Sequence, residues 1–365
     1  MIHPSTRRLR TVAAAALLTV TALIATACSG SAQSGSGGAA SRSGSSSGAS
    51  PVTVTDSVKR KVDFPNGAIS KVAIVGGFNV DLALALGARD QIVGIDEKTI
   101  DQENFADFPS SLSIGASADA LNYERIVQSG AQAVVLYGNQ PWQAAESSLK
   151  SSGVEVLVVS SWISQDWKTN VELLGKVLGR DKEAAKVLAF TDKVSAFTAR
   201  AGQVQTQATA YYEDNAGKTI GEEGGKTLAF ADANIKSIFA DSPGNTIDSD
   251  PAAVLAADPD VIVVETDNLY GGRSDAEYKS IADKLLARPG WKNLKAVRNG
   301  KLFLYNPWAF DLAGNQISPL FFATFAYPDR YQDVDPLSVV EEWSTDFIGA
   351  TKFTPQGYVY QVAAR

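Results

Sequence analysis

Short apolar runs alternate with helical repeats along the first half of the chain. Residues 72–75 and 133–136 are apolar without interruption, as strands buried on both faces of a sheet are, and 154–159 is apolar except for Glu155. Further strands are expected at 91–96 and in a hairpin over 52–64. Three stretches between the runs have apolar residues at helical spacing: 80–86, 122–129 and 142–152. This order of strand, turn and helix predicts a doubly wound α/β sheet.

The pattern changes from residue 167 to about residue 204, where apolar residues keep a helical spacing and no strand-like run occurs. Gly179 and Asp181 interrupt it, which predicts a short helix followed by a long one. Beyond it, strands are expected at 208–212, 261–264 and 302–305. Helices are expected at 229–239, 251–257, 320–325 and 336–347.

The expected fold class is therefore α/β, with two doubly wound lobes joined by one long backbone helix. We assign residues 51–162 to an N-terminal lobe, 163–206 to the linking helix and 207–365 to a C-terminal lobe. Ligands of open α/β sheets bind at the carboxyl ends of the strands, so a ligand cleft is expected between the two lobes.

The first 50 residues have a different pattern. Three arginines precede an uncharged stretch over 12–27, which is too short for a comfortable membrane span and typical of a signal peptide. The small residues before Cys28 resemble the bacterial lipobox, although Ala25 stands where Leu is commoner. We expect 1–27 to be a signal peptide, Cys28 to be lipidated and 28–50 to be a Gly/Ser-rich tether. The alternative is an ordinary secretory signal in which Cys28 has no role.

Composition narrows the chemistry of the mature chain. Removing residues 1–27 removes three Arg and no Asp or Glu, so the net charge changes from −7 to −10, which argues against nucleic acid as a partner. Membrane attachment would then come from the lipid alone. The single His is His3 and the single Cys is Cys28, so the folded part has neither residue. Histidine-based catalysis and zinc sites of imidazole or thiolate are therefore excluded.

Aromatic and amide residues are frequent in the loops that follow the expected strands. A large planar chelate needs flat apolar walls with a few polar points. Arg273 is suited to the carboxylate or catecholate oxygens of an anionic chelate, and Tyr137 or Tyr270 to supplying a phenolate to Fe(III). For every aromatic the alternative is ordinary packing. The candidate ligand-binding residues are Phe78, Asn79, Tyr137, Trp142, Trp162, Tyr270, Arg273, Trp308 and Phe310.

Several motifs in order resemble one family. They are Asn-Tyr-Glu-Arg-Ile at 122–126, Leu-Gly at 174–175 before Gly179, Asp-Pro-Asp-Val-Ile-Val-Val at 258–264 and Pro-Gly-Trp at 289–291. The family is that of the substrate-binding proteins of ABC importers for ferric siderophores, haem and corrinoids. The resemblance covers roughly residues 52–360.

This resemblance implies an extracytoplasmic receptor, anchored to the cell membrane by lipid, that delivers an iron chelate of the ferric siderophore type to an ABC transporter permease. No intrinsic cofactor and a monomeric state are expected. In the family an exposed carboxylate on each lobe meets arginines of the permease, and Glu124 matches the N-lobe position. Ala252 stands near the C-lobe position, and Asp250 is the nearest carboxylate. Asp250 is equally suited to capping the helix that follows it.

Other functions remain open at this point. The same type of receptor could take haem, a corrinoid or a metal oxyanion, although six Trp argue for something larger than an oxyanion. A secreted enzyme on this fold is a remote alternative and would need a carboxylate pair such as Asp311 with Glu265, or an intrinsic metal. We expect no enzymatic activity.

Overall fold

A computed structural model describes residues 50–268, 270–350 and 353–364 of the chain. The expected signal peptide, Cys28 and the tether up to residue 49 lie outside the described residues. No helix of the described part is long and apolar enough to cross a membrane.

The first lobe is built on a four-stranded parallel sheet in the order β4-β3-β5-β6. Its four strands lie where the sequence predicts strands, and every residue of β3 and β5 is buried. An antiparallel hairpin, β1 with β2, precedes the sheet. The strands are β1 Val52–Thr55, β2 Lys61–Phe64, β3 Val72–Ile74, β4 Ile92–Ile95, β5 Ala133–Leu136 and β6 Glu155–Val158. The helices are α1 Gly77–Ala85, α2 Glu97–Ile100, α3 Tyr123–Gln128 and α4 Trp142–Leu149.

Two helices then lead to the second lobe, as predicted. Helix α5, Trp167–Leu178, packs against β1, and helix α6, Asp181–Thr198, packs against the second lobe. The break between them falls at Gly179, which adopts a φ of 67° as a left-handed C-cap.

The second lobe is built on a five-stranded sheet in the order β13-β12-β11-β7-β9, parallel except for the edge strand β13. Its strands, with the separate hairpin of β8 and β10, are β7 Ala208–Glu213, β8 Lys218–Ile220, β9 Ile235–Ser237, β10 Thr246–Asp248, β11 Val261–Glu265, β12 Leu302–Tyr305 and β13 Val359–Val362. Its helices are α7 Gly225–Asp232, α8 Pro251–Ala257, α9 Asp275–Leu286, α10 Lys295–Arg298, α11 Pro307–Phe310, α12 Leu312–Asn315, α13 Ser318–Ala326 and α14 Pro336–Glu342. A π-helical turn, Trp343–Phe347, follows α14.

One predicted helix in this lobe is partly wrong. The helix expected over 229–239 ends at Asp232, and Asn234 takes a left-handed φ of 54°. The chain then enters β9, in which Ile235 and Ser237 are buried and Lys236 is exposed. This two-residue period and the pairing with β7 identify a strand rather than a helical turn.

The two lobes also touch through a left-handed turn at Ala313, Gly314 and Asn315, which we call the 313–315 turn. Their φ values are 50°, 63° and 67°, so α12 is helical only in part. The turn lies against α1 of the first lobe. The Asn315 Nδ2 donates a hydrogen bond to the Trp162 carbonyl oxygen at 2.8 Å, and the Gln316 Nε2 donates one to that of Ser164 at 2.9 Å. These bonds join the lobes at a point other than the linking helices.

Candidate functional site

A cavity of about 700 Å³ lies between the two lobes. The first lobe contributes the residues that follow β3, β4 and β5, and the second contributes Asn268, Tyr270, Trp308, Asp311 and Leu312. The walls are therefore formed at the carboxyl ends of strands in both sheets, which is where the topology places a ligand site. Its size lies within the range of small-molecule pockets.

The second lobe supplies an aromatic wall centred on Trp308. Pro307 begins α11, and the Asn306 Oδ1 accepts a hydrogen bond from the Trp308 backbone N–H at 3.0 Å, so the helix starts directly after β12. The Tyr270 ring meets the Trp308 ring edge to face at 4.9 Å between centroids. The Tyr358 ring stacks on the Trp308 ring at 5.3 Å. Trp308 is only 7% exposed, so these neighbours fix its orientation at the cavity.

The first lobe supplies a floor at the start of α1. Gly76 has a φ of 91°, and a Cβ there would lie 2.4 Å from the Tyr137 ring, so only glycine lets Tyr137 reach this point. The Tyr137 hydroxyl oxygen accepts a hydrogen bond from the Phe78 backbone N–H at 2.9 Å. Burial is the main cause that raises the pKa of Tyr137 well above its ordinary value, with Asp96 and Asp81 adding to it. The phenolate contact with Fe(III) stays a prediction, because a bound metal ion would itself displace the phenol proton.

The pKa of the Tyr270 phenol is raised in the same direction. Burial raises its pKa, and the negative charge of Asp107 adds to the effect. Both cavity tyrosines thus have a pKa above the ordinary value of a phenol.

Carboxyl groups dominate the charge of the cavity. Six of them line it, against the single ammonium of Lys98: Asp81, Asp96, Asp101, Glu103, Asp119 and Asp311. Asp96 is held by backbone N–H groups, since its carboxylate accepts from Gly76 at 2.8 Å and from Thr99 at 3.2 Å. Asp311 forms an ion pair with Lys226. Asp101, Glu103 and Asp119 are exposed, and none of the three forms an ion pair within the described residues.

Asp81 is a buried member of this set. It is 5% exposed, and burial raises its pKa to about 7. The indole N–H of Trp343 donates to its Oδ1 at 3.3 Å, and this bond and a second one from the Ala313 backbone partly oppose the shift. Asp81 therefore links α1 to the 313–315 turn and to the π-helical turn of the second lobe.

Four of the nine candidate residues line the cavity: Phe78, Tyr137, Tyr270 and Trp308. The other five do not, which corrects the expectation of one common pocket. Asn79 is fully buried, and its Oδ1 accepts a hydrogen bond from the Ser161 hydroxyl at 2.7 Å. Phe310 is also fully buried, because its ring stacks on Phe321 at 3.9 Å in the core of the second lobe.

The remaining three lie on other surfaces. Trp142 packs under the Arg60 guanidinium at 4.3 Å, and Trp162 is 37% exposed outside the cavity. Arg273 forms ion pairs with Asp267 and, at 4.0 Å, with Glu277. Its guanidinium therefore has carboxylate partners, while its buried Nε has no hydrogen-bond partner within the described residues, and the side chain does not line the cavity.

The acidic residues of the first lobe were missed. Asp96 is the residue directly after β4, so the rule that ligands bind after strands would have found this segment. From the sequence alone, the charged residues of this segment are typical of a solvent-exposed surface. Nothing in the sequence shows that the aromatic wall of the second lobe lies opposite them.

The two candidate docking carboxylates lie outside the cavity. Glu124 is exposed in the first turn of α3. Asp250 is the N-cap of α8, and its Oδ1 accepts a hydrogen bond from the Ala252 backbone N–H at 2.9 Å. The capping role is thus present in the structure, and the docking role of both residues stays a prediction. Within the described residues, no three His, Cys, Asp or Glu side chains form a group that could hold a metal ion.

Comparisons with known proteins agree with this architecture. The family model of the periplasmic binding proteins matches residues 72–308, so the chain belongs to that family, whose members are substrate-binding proteins of ABC importers. No protein of curated function matches the chain significantly.

Solved structures share the fold at low sequence identity. FepB from Veillonella parvula, described as a TroA-like periplasmic binding protein, is 17% identical with a TM-score of 0.72, over 86% of this chain and all of that one. The molybdate-binding protein MolA from Haemophilus influenzae is 18% identical with a TM-score of 0.64, over 83% and 99% of the two chains. CeuE from Helicobacter pylori with bound Ni(II) is 18% identical with a TM-score of 0.61, over 82% and 97%.

Proposed function

We propose that this protein is a lipid-anchored extracytoplasmic receptor that captures an iron chelate in the cleft between its lobes and delivers it to an ABC importer. The observation that carries the proposal is the cavity of about 700 Å³ with an aromatic wall, set between the two sheets of a periplasmic binding fold. Trp308 and Tyr270 offer flat apolar surface, and the hydroxyl of Tyr137 offers a polar contact on the opposite side. No intrinsic cofactor and no enzymatic step are part of this function.

The proposed organisation follows the sequence assignment, with a signal peptide at 1–27, a tether at 28–50, lobes at 51–162 and 207–365, and a monomeric working state.

The alternative cargoes differ in charge, so the charge of the cavity lining favours some of them over others. The solved structures that share the fold include one with molybdate and one with Ni(II), so the fold itself accommodates cargoes of either sign. The acidic lining of this cavity disfavours an oxyanion and the two propionates of haem. A corrinoid, whose ring is planar and bears neutral amides, is the second candidate because it suits the aromatic wall.

A ligand screen tests this function. Intrinsic Trp fluorescence and thermal stability are measured with ferric siderophores, cobalamin, haemin and molybdate. Saturable quenching and a raised Tm with a ferric siderophore would support the proposal. A response to molybdate alone, or to none of the four, would overturn it.

The docking role of Glu124 gives a separate prediction. Glu124→Ala is expected to lower uptake into cells several-fold and to leave the affinity for the chelate unchanged, because the residue lies on α3 outside the cavity. Uptake of radiolabelled iron and a binding titration measure the two quantities. Glu172→Ala on α5 is the control, since Glu172 is also exposed and lies outside the cavity. An uptake rate equal to that of the control would contradict the docking role.

The lipid anchor gives another prediction. Cys28→Ser is expected to move the protein from the membrane fraction to the medium or the soluble fraction, because the thiol that would carry the lipid is lost. Detergent phase partitioning of cell extracts measures this. A Cys28→Ser protein that partitions into detergent as the natural chain does would contradict the assignment.

A further inference from the structure

We infer that the cleft selects a chelate with a net positive charge over an anionic chelate of the same size. The inference rests on the proposed function in one respect, namely that the cargo binds in the cleft. It reverses the expectation from sequence that Arg273 pairs with an anionic cargo.

Most carboxyl groups of the cavity come from the first lobe. Asp96, Asp101, Glu103 and Asp119 lie in the connection between β4 and α3, and Asp311 comes from the second lobe, where it is paired with Lys226. A cargo between the lobes would therefore face the unpaired carboxylates on the first-lobe side and the aromatic wall on the other.

The basic groups do not balance this charge. Lys98 is the one ammonium on the wall within the described residues, and Lys226 is already paired with Asp311. Arg273, the expected anion partner, is paired with Asp267 and Glu277. The three carboxylates without an ion pair, those of Asp101, Glu103 and Asp119, would repel an anion directly.

The aromatic wall adds to the preference. The faces of Trp and Tyr rings attract cations through their quadrupole, and rings combined with carboxylates are a common means of binding cationic groups. Trp308 and Tyr270 lie on the wall opposite the acidic segment, and Phe78 and Phe105 belong to the same cavity. A cleft with low-dielectric walls and charge of one sign concentrates ligands of the opposite sign.

The test uses one chelate in three charge forms. The ferric complex of a linear trihydroxamate with a terminal amine carries one positive charge, its N-acetyl derivative is uncharged and its N-succinyl derivative carries one negative charge. Isothermal titration of the full folded protein is expected to give the tightest binding for the amine form, on the order of tenfold tighter than the succinyl form, with a smaller ratio at 1 M salt. Equal affinities, or tighter binding of the succinyl form, would overturn the inference.

Charge variants locate the effect. The triple variant Asp101→Asn, Glu103→Gln and Asp119→Asn should reduce the ratio between the amine and succinyl forms several-fold. The triple variant Glu172→Gln, Asp192→Asn and Asp329→Asn removes the same charge at exposed positions outside the cavity and should keep the ratio. The same ratio in both variants would overturn the inference.

A second readout needs no bound chelate. Amino- and carboxyl-substituted nitroxides are compared by their effect on the NMR relaxation of the Trp308 indole and the Phe78 amide. A stronger effect of the cationic nitroxide is expected, and an equal or stronger effect of the anionic one would overturn the inference. If no form of the chelate binds, this trihydroxamate is not the cargo, the ligand screen decides the iron-chelate function, and the nitroxide comparison still decides the charge preference.

Discussion

Replacing Trp308 with alanine is expected to weaken chelate binding by about 1–3 kcal/mol, as the loss of a central aromatic anchor does. The same change should lower the free energy of unfolding by about 3–5 kcal/mol, because it removes a ring that is 7% exposed and packs on Tyr270, Phe353 and Tyr358. Urea unfolding measures the stability, and a titration under conditions in which circular dichroism shows a folded protein measures the affinity.

Two further variants separate these effects. Trp308→Phe keeps an aromatic face and should retain more of both quantities than alanine does. Trp162→Ala removes an indole that is 37% exposed and lies outside the cavity, so it should change neither the affinity nor the stability by more than about 1 kcal/mol. If folded Trp308→Ala protein bound the chelate as the natural chain does, Trp308 would not be part of the site.

Gly314→Ala is expected to lower the free energy of unfolding by about 2–5 kcal/mol. Gly314 has a φ of 63°, which costs energy for any L-residue with a Cβ. An added Cβ would also lie 2.2 Å from the Trp167 ring and 2.5 Å from the Ser161 carbonyl oxygen. Both neighbours belong to the first lobe or to α5, so the turn must move away from them, and the cleft beside Asp311 would change shape. Urea unfolding of the two proteins measures the loss.

Substitutions of two other glycines separate the contribution of backbone strain to this loss of stability from the contribution of close packing. Gly217 has a φ of 78° with nothing within 4 Å of an added Cβ, so Gly217→Ala reports backbone strain alone, about 1–2 kcal/mol. Gly225 begins α7 and also has open space, so Gly225→Ala should be neutral or slightly stabilising. A loss for Gly314→Ala no larger than that for Gly217→Ala would show that the close packing between the lobes contributes nothing.

The strands were predictable where apolar runs are buried on both faces. The runs at 133–136 and 302–305 became β5 and β12 with those same bounds. The strand β9 was not predictable from the sequence. It has only three residues and follows a helix, and a pattern of that length does not distinguish a two-residue period from a helical one. The 313–315 turn was also missed, since two of its three left-handed residues are not glycine and its contacts with the first lobe cannot be seen in the sequence.

The position of the site in the fold was predictable, but which side chains point into the cavity was not. The rule that ligands bind after strands placed Trp308 and Phe310 in one loop, two residues apart. In the short helix α11 these positions point in different directions, so Trp308 reaches the cavity while Phe310 packs into the core. The charge of the site was not predictable either, because it depends on which groups the fold places opposite one another and which it pairs, as it pairs Arg273 with Asp267.

The most direct test is a crystal structure of the protein with the ferric chelate that the screen selects, in which anomalous scattering locates the iron. The account predicts one iron peak in the cavity, with the chelate in contact with Trp308 on one side and with Phe78 or Tyr137 on the other. An iron peak outside the cavity, or a bound chelate that leaves Trp308 and Tyr270 without contact, would contradict it.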